Sequence, residues 1–211
     1  KPVIETVDRA RLQEDGEAAE TDATDETALR LVSCGKPIPH HVIRIVDANG
    51  HELPERREGS LQFAGPSATR GYYRNPEKTA ELFDGEWLNT GDRAYIANGE
   101  LFLTGRNKDL IVRAGRNLYP SEIEHVILDI EGVAPHYRID LHREGNLDTV
   151  ALTVELVEGF EGAVDDLHGR IGTRLKNVLG FTPDELDLVP YGDIARQETG
   201  KVQRVYDHRG Q

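Results

Sequence analysis

The feature that most constrains the fold of this chain is a change of sequence pattern at Gly105. Before it, short apolar runs are separated by Asn49-Gly50 and Asn98-Gly99, and Asn-Gly pairs suit the positive φ angles of hairpin turns. After it, apolar residues in two segments recur every three or four positions, which is typical of amphipathic helices. The sequence therefore predicts an α+β fold, with a β-rich unit at 31–105 and a small α+β domain at 106–211.

Strand and helix signals occur in both parts. In the first part, the predicted elements are strands at 42–53 and 59–65, a short helix opened by Asn75-Pro76, and a hairpin at 93–104. In the second part, they are a strand at 109–113, a helix at 121–130, paired strands at 137–142 and 150–157, a helix from Val164 to Gly180, and strands near 186–189 and 202–206.

Residues 1–30 carry a different signal. Between Glu14 and Thr27 there are seven acidic residues, no basic residue and almost no large apolar group. Such a stretch buries too little surface to offset the entropy that ordering costs. We therefore expect a flexible segment at 1–30, and an acidic docking segment is the alternative.

Composition excludes several classes of function. The net charge of −13 argues against nucleic-acid binding, because phosphates require clustered Lys and Arg. No apolar run approaches the roughly 20 residues that span a membrane, and a single cysteine, Cys34, cannot form an intrachain disulfide. A cytoplasmic protein is therefore expected. The histidines show no ligand spacing with Cys34 or with each other, so no metal site made of protein side chains is expected. The chain contains no methionine, which favours a piece of a longer protein.

Three local patterns are candidates for chemistry, and the first is Trp87-Leu-Asn-Thr90-Gly91-Asp92. A Gly-Asp pair at a tight turn before a strand leaves one carboxylate available. That carboxylate can accept two hydrogen bonds from vicinal hydroxyls, such as those of a ribose. Taken alone, the pattern also fits an aspartate that accepts bonds from backbone amides of its own turn.

The second pattern occupies 105–124 (GRNKDLIVRAGRNLYPSEIE), where charges, glycines and a strand lie close together. Ala114-Gly115 predicts a turn where the backbone can approach a ligand, and a solvated hairpin at a domain junction is the alternative. The third pattern is Gln197–Arg204, in which Lys201 follows Gly200. A lysine there could place its charge on phosphate oxygens, and a solvated terminal lysine is the alternative.

Taken together and in this order, the three patterns resemble the late motifs of the adenylate-forming (ANL) superfamily. That superfamily includes acyl-CoA synthetases, fatty acyl-AMP ligases, luciferases and peptide-synthetase adenylation domains. A fourth match, 59–65 followed by Arg70–Tyr73, is similar to the motif that precedes them. The resemblance implies that 31–105 is the β-rich end of a large AMP-binding domain and 106–211 is a small, mobile carboxy-terminal domain.

The resemblance also implies roles for individual residues. Asp92 would hold the ribose hydroxyls of ATP, and Arg106 would contact the same nucleotide. Asp109 would be the hinge about which the small domain rotates between two half-reactions. Lys201 would bridge the substrate carboxylate and the α-phosphate as the catalytic group. The thiol-transfer loop would comprise Ala114, Gly115 and Arg116.

The implied reaction joins a carboxylic acid to ATP with Mg²⁺, and then passes the acyl group to a pantetheine thiol. Two subfamily signals differ in the acceptor. Leu31–Pro37 and Gly115–Pro120 look like fatty acyl-AMP ligases, which use the phosphopantetheine of an acyl carrier protein. Val133–Arg138 and Arg143–Asp148 are similar to phenylacetate-CoA ligases, which use coenzyme A.

Two other features of that family are relevant to activity. Its Ser, Thr and Gly-rich phosphate loop and its acyl pocket belong upstream of Lys1, so the resemblance implies that this chain is inactive alone. A non-catalytic module that docks a carrier protein is the alternative to an enzyme.

Overall fold

The computed structural model describes residues 1–113, 115–145, 147–195 and 204–209. The chain forms two compact units, Lys1–Lys108 and Asp109–Gln211. Both combine helices with sheets, so the predicted α+β class is confirmed.

The first unit is mainly antiparallel sheet. Its elements are β1 (Ile4–Val7), α1 (Arg9–Asp15), β2 (Leu29–Val32), β3 (Val42–Val46), β4 (Gly59–Ala64), α2 (Pro76–Leu82), β5 (Phe83–Asp84), β6 (Trp87–Ala97) and β7 (Glu100–Arg106). β1 pairs with β2, and the five-stranded sheet has the order β3-β4-β6-β5, with β7 also paired to β6. β6 is therefore the central strand, and it meets three neighbours.

Two local predictions in this unit are confirmed. Asn98 and Gly99 form the two-residue turn between β6 and β7, with φ angles of 53° and 73°. Both angles are positive, as the mirror-image hairpin turns require. Asn75 caps α2, because its side chain accepts a hydrogen bond of 3.0 Å from the backbone N–H of Lys78.

The amino-terminal residues differ from the flexible segment that composition predicted. Val7, Leu12 and Ala18 are buried in one apolar cluster with Tyr95 and Phe102, whose rings stack at 5.2 Å between centroids. The acidic stretch from Glu14 to Thr27 concealed this packing, because most of the apolar side chains that anchor it lie outside the stretch.

Within its described residues, the second unit has two α-helices and a four-stranded sheet. Its elements are β8 (Ile111–Arg113), β9 (Arg116–Leu118), α3 (Pro120–Leu128), β10 (Val133–Glu144), β11 (Leu147–Leu156), α4 (Val164–Leu179), β12 (Glu185–Val189) and β13 (Val205–Asp207). The sheet has the order β12-β11-β10-β13. β10 and β11 are antiparallel, while each outer strand runs parallel to its neighbour. β8 and β9 form a separate hairpin.

The core of the second unit combines apolar side chains of α3, α4, the four-stranded sheet and the β8–β9 hairpin. α4 buries Leu167, Ile171 and Leu175, one turn apart, as its apolar spacing predicted. The helix ends at Gly180, whose φ of 61° is left-handed, so the predicted stop is also confirmed. Within the described ranges, no helix is both long enough and apolar enough to cross a membrane.

Candidate functional site

Asp92 lies inside β6, which differs from the predicted turn before a strand. The β4–β6 register shifts between the pairs Ser60–Arg93 and Gln62–Asn89, so Thr90, Gly91 and Asp92 sit in an irregularity of the strand. Gly91 has a φ of 80°, and a Cβ built on it would meet no atom within 4 Å. Such irregularities redirect side chains within a sheet. The side chain of Asp92 is accordingly 34% exposed.

Two of the sequence-predicted residues, Asp92 and Arg106, face each other across β6 and β7. Asp92 Oδ1 lies 3.7 Å from Arg106 Nε, and the Arg106 side chain is 62% exposed. An ion pair this long and this exposed to water is weak. Both groups can therefore turn towards a ligand at small cost.

A cleft surrounds this pair. Its lining residues are Thr90, Gly91, Asp92, Arg106, Asn107 and Lys108. The hydroxyl of Thr90 accepts the backbone N–H of Asp92 at 3.0 Å and donates to the carbonyl of Leu61 at 3.1 Å, which holds the irregular segment in place. The sequence analysis gave no role to Thr90, Asn107 or Lys108. All three lie within two positions of Asp92 or Arg106 in the sequence, and this closeness could have identified them as residues of the cleft.

The cleft presents one carboxylate and one guanidinium to solvent. A carboxylate can accept two bonds from a ribose diol, and a guanidinium can donate to the same molecule. Over the part of the chain that is described, no three His, Cys, Asp or Glu side chains come together as metal ligands.

The remaining predicted residues fall at the start of the second unit or outside the described residues. Asp109 ends a single 3₁₀ turn, Asn107–Asp109, and is the first residue of the second unit. Gly115 lies in the turn of the β8–β9 hairpin, with a φ of 80° and open space around it. Ala114 and Lys201 lie outside the described residues.

Arg116 begins β9, and its guanidinium lies against Gly180 at the end of α4. A cation at the carboxyl end of a helix is favourable, because the helix dipole places partial negative charge there. This residue of the predicted transfer loop therefore also has a structural contact.

Asp148 and Asp184 received no predicted role, yet both accept hydrogen bonds from β8. A signal for Asp148 was present in the sequence. Asp148, Val150, Leu152 and Val154 alternate along β11, and all four are at most 1% exposed. A carboxylate in the inward-facing register of a strand must be paired, because burial of an unpaired charge is costly.

The chain matches two family descriptions. Residues 115–209 match the AMP-binding enzyme C-terminal domain, and residues 16–73 match the AMP-binding enzyme family. A protein of Caulobacter vibrioides assigned as an acyl-CoA synthetase is 39% identical over 95% of this chain and 35% of its own length. A benzoate–CoA ligase of Thauera aromatica is 33% identical over 81% of this chain and 32% of its own length.

Solved structures agree with these sequence matches. One from a study of fatty acyl-adenylate ligases of E. coli and L. pneumophila has a TM-score of 0.81 and 30% identity, covering 96% of this chain and 36% of its own. McyG A-PCP complexed with phenylalanyl-adenylate has a TM-score of 0.69 and 34% identity, covering 82% of this chain and 32% of its own. The chain thus spans about a third of the length of these relatives.

Proposed function

This chain belongs to the adenylate-forming superfamily, and from that membership we propose that it forms part of an ATP-dependent carboxylate ligase. In the first half-reaction, a carboxylate oxygen of the acid attacks the α-phosphorus of ATP, and pyrophosphate leaves. In the second, a thiol loses its proton to solvent, its sulfur attacks the acyl carbon, and AMP leaves.

The observation that carries this proposal is the juxtaposition of Asp92 and Arg106 in one cleft, 3.7 Å apart. Asp92 accepts hydrogen bonds from the ribose hydroxyls, and Arg106 donates to the same nucleotide. Thr90 keeps the backbone of the irregular segment in place while Asp92 binds. Mg²⁺ bound with the nucleotide would neutralise phosphate charge.

We assign the remaining roles to the second unit. Lys201 bridges the acid and the α-phosphate and stabilises charge as pyrophosphate leaves, which is electrostatic catalysis without proton transfer. Asp109 is the hinge between the half-reactions, and the hairpin tip around Ala114, Gly115 and Arg116 admits the thiol.

Two alternatives remain for the thiol acceptor, and two remain for the acid that is activated. The names of the relatives from Caulobacter and Thauera support coenzyme A as acceptor, while the fatty acyl-adenylate ligases support a carrier protein. In the same way, the fatty acyl-adenylate ligases support an aliphatic acid, and the benzoate–CoA ligase supports an aryl acid. We also propose that catalysis needs protein beyond these 211 residues, because the chain spans about a third of its relatives.

The test is acid-dependent pyrophosphate exchange by the complete protein that contains this chain, with aliphatic and aryl acids. Asp92→Asn should raise the KM for ATP about 10- to 100-fold, because a hydrogen bond to a charged group contributes about 1.5–3 kcal/mol. Asp22→Asn, an exposed turn carboxylate of the same unit, is the control and should leave the KM unchanged. An unchanged KM in Asp92→Asn would remove Asp92 from the nucleotide site, and no exchange with any acid would overturn the proposed function.

Assays of the two separate half-reactions test the role of Lys201. Lys201→Ala should abolish adenylate formation and largely spare thioester formation from a supplied acyl-adenylate. Equal loss in both assays would contradict the assigned role. Coenzyme A and holo acyl carrier protein, offered as competing thiols, identify the acceptor.

A further inference from the structure

The hairpin of β8 and β9 needs external support. Each strand has three residues, and the hairpin stands outside the four-stranded sheet. A two-stranded ribbon of this size is marginally stable by itself. Ile111 and Leu118 are buried in the core of the unit, whereas Val112 is 45% exposed and Gly115 has open space around it. The base of the hairpin is therefore anchored, while Gly115 near its tip leaves room for a close approach.

Asp148 is the first group that holds β8. Its Oδ2 accepts the backbone N–H of Val112 at 3.1 Å. Its Oδ1 accepts two bonds from Arg143, at 2.8 Å from Nε and 2.6 Å from Nη2. Arg209 Nη1 adds a bond of 2.8 Å to Oδ2. Both oxygens of this buried carboxylate are thus paired, and one of them fixes the backbone of β8.

Arg209 extends the same contact along the chain. Its Nη1 also donates to the carbonyl oxygen of Leu110 at 2.7 Å, and only 12% of its side chain is exposed. Leu110, the residue before β8, is therefore hydrogen-bonded to Arg209, which also pairs with Asp148.

Asp184 is the second group that holds β8. Its carboxylate accepts hydrogen bonds from both terminal nitrogens of Arg113, and the distance from Nη2 to Oδ1 is 2.7 Å. Its Oδ2 also accepts the backbone N–H of Val150 at 2.8 Å, which ties it to β11. Arg113 Nη1 in addition donates to the carbonyl oxygen of Asp148 at 3.1 Å. A two-pronged arginine–carboxylate pair restrains direction as well as distance.

We propose that Asp148 and Asp184, here called the acidic clamp, are positioning residues for the thiol-transfer half-reaction. They hold Val112 and Arg113, so that the hairpin turn keeps one direction when it meets the thiol and the acyl-adenylate. This inference rests on the proposed function. Neither carboxylate touches substrate, and the clamp acts through the backbone of β8 and the side chain of Arg113.

The test uses Arg113→Ala in the complete protein, with the half-reactions measured separately. Single-turnover transfer from preformed acyl-adenylate at saturating thiol should slow about 10- to 100-fold, because a displacement of about 1 Å at a reacting site costs about that much. Pyrophosphate exchange should be unchanged. Arg113→Lys keeps the charge but loses the fork, so its transfer rate should lie between those of Arg113→Ala and the parent. Arg170→Ala, an exposed arginine of α4, is the matched control and should change neither rate.

A second measurement tests the effect of the clamp on the hairpin without an activity assay. Hydrogen exchange of the peptide that contains β8 and β9 should be faster in Arg113→Ala and unchanged in Arg170→Ala. Asp184→Asn keeps the shape of the side chain and removes its charge, so it carries the same test if Arg113→Ala does not fold.

The outcomes separate the two proposals. Normal transfer in folded Arg113→Ala or in folded Asp184→Asn overturns the inference, and so does equal loss of both half-reactions. If the unaltered protein forms no adenylate, the proposed function fails, and the hydrogen-exchange comparison alone then decides whether the clamp holds the hairpin.

Discussion

Gly180 meets two requirements at one position. Its φ of 61° is left-handed, where a side chain is strained, and the guanidinium of Arg116 occupies the space that a Cβ would need. The same residue therefore ends α4 and receives the first residue of β9. A glycine that looks like a simple helix stop in the sequence also makes room for the side chain of Arg116, a residue of the proposed transfer loop.

Gly180→Ala should destabilise the second unit by about 1–2 kcal/mol, because a left-handed non-glycine residue costs about that much. Gly169→Ala is the matched control, since Gly169 lies inside α4 with no atom within 4 Å of a built Cβ. It should stabilise the helix by about 0.5–1 kcal/mol. Urea unfolding followed by circular dichroism measures both. Equal effects of the two substitutions would contradict the account of Gly180.

At the scale of elements, charged pairs join the hairpin, the sheet and the last strand of the second unit. Arg113 holds the pKa of the Asp184 carboxyl below its usual 3.8, and Arg209 does the same for Asp207. Burial disfavours the charge on Asp148, but the bonds from Arg143, from the backbone of Val112 and from Arg209 outweigh it, so its pKa is also lowered. The Arg113–Asp184 and Arg209–Asp148 pairs connect elements that are distant in sequence. Acid should weaken all of these pairs.

A lowered folded-state pKa means that the carboxylates contribute stability fully above the unfolded value of 3.8, and lose it as pH falls through their folded values. The urea midpoint of the second unit should therefore hold from about pH 6 to about pH 5 and drop below about pH 4. Asp184→Asn should be less stable than the parent at about pH 6, and the difference should shrink at about pH 3.

Circular dichroism follows this transition, while fluorescence of the single tryptophan, Trp87, reports the first unit separately. Asp187→Asn, an exposed carboxylate on β12, is the control and should keep the acid dependence of the parent. A constant difference between Asp184→Asn and the parent across this pH range would argue against the Arg113–Asp184 pair as its source.

At the scale of the whole molecule, the two units divide the proposed chemistry. The first carries the Asp92–Arg106 cleft, and the second carries the hairpin and Lys201. Asp109 is the first residue of the second unit, so the hinge proposed here would change the backbone angles at this position. Proline limits those angles, because it fixes its own φ and restricts the residue before it.

Asp109→Pro in the complete protein should retain adenylate formation and impair transfer to the thiol. Asp109→Ala removes the carboxylate but leaves the backbone free, so it should retain both half-reactions. Pyrophosphate exchange and single-turnover thioester formation measure the two steps. Unimpaired transfer in Asp109→Pro would argue against a hinge at this residue.

Much of the fold could be predicted because its signals are local. Asn75 caps the helix that follows it, and Asn98-Gly99 forms the turn between its neighbouring strands. The apolar face of α4 and its stop at Gly180 also follow from residues a few positions apart. The roles proposed for Asp92, Arg106, Asp109 and Lys201 came from the order of four motifs and stay predictions.

The sequence by itself determined the α+β class, most elements and the candidate residues, since backbone propensity, turn chemistry and apolar spacing act over a few residues. Only the tertiary structure decided how distant groups combine. It brought Asp92 beside Arg106 through the register of β6 and β7, and buried Val7 in one apolar cluster with Phe102 despite the acidic stretch between them. It also paired Arg113 with Asp184, 71 positions away. Such contacts depend on strand register and burial across the whole unit, which no short stretch of sequence contains.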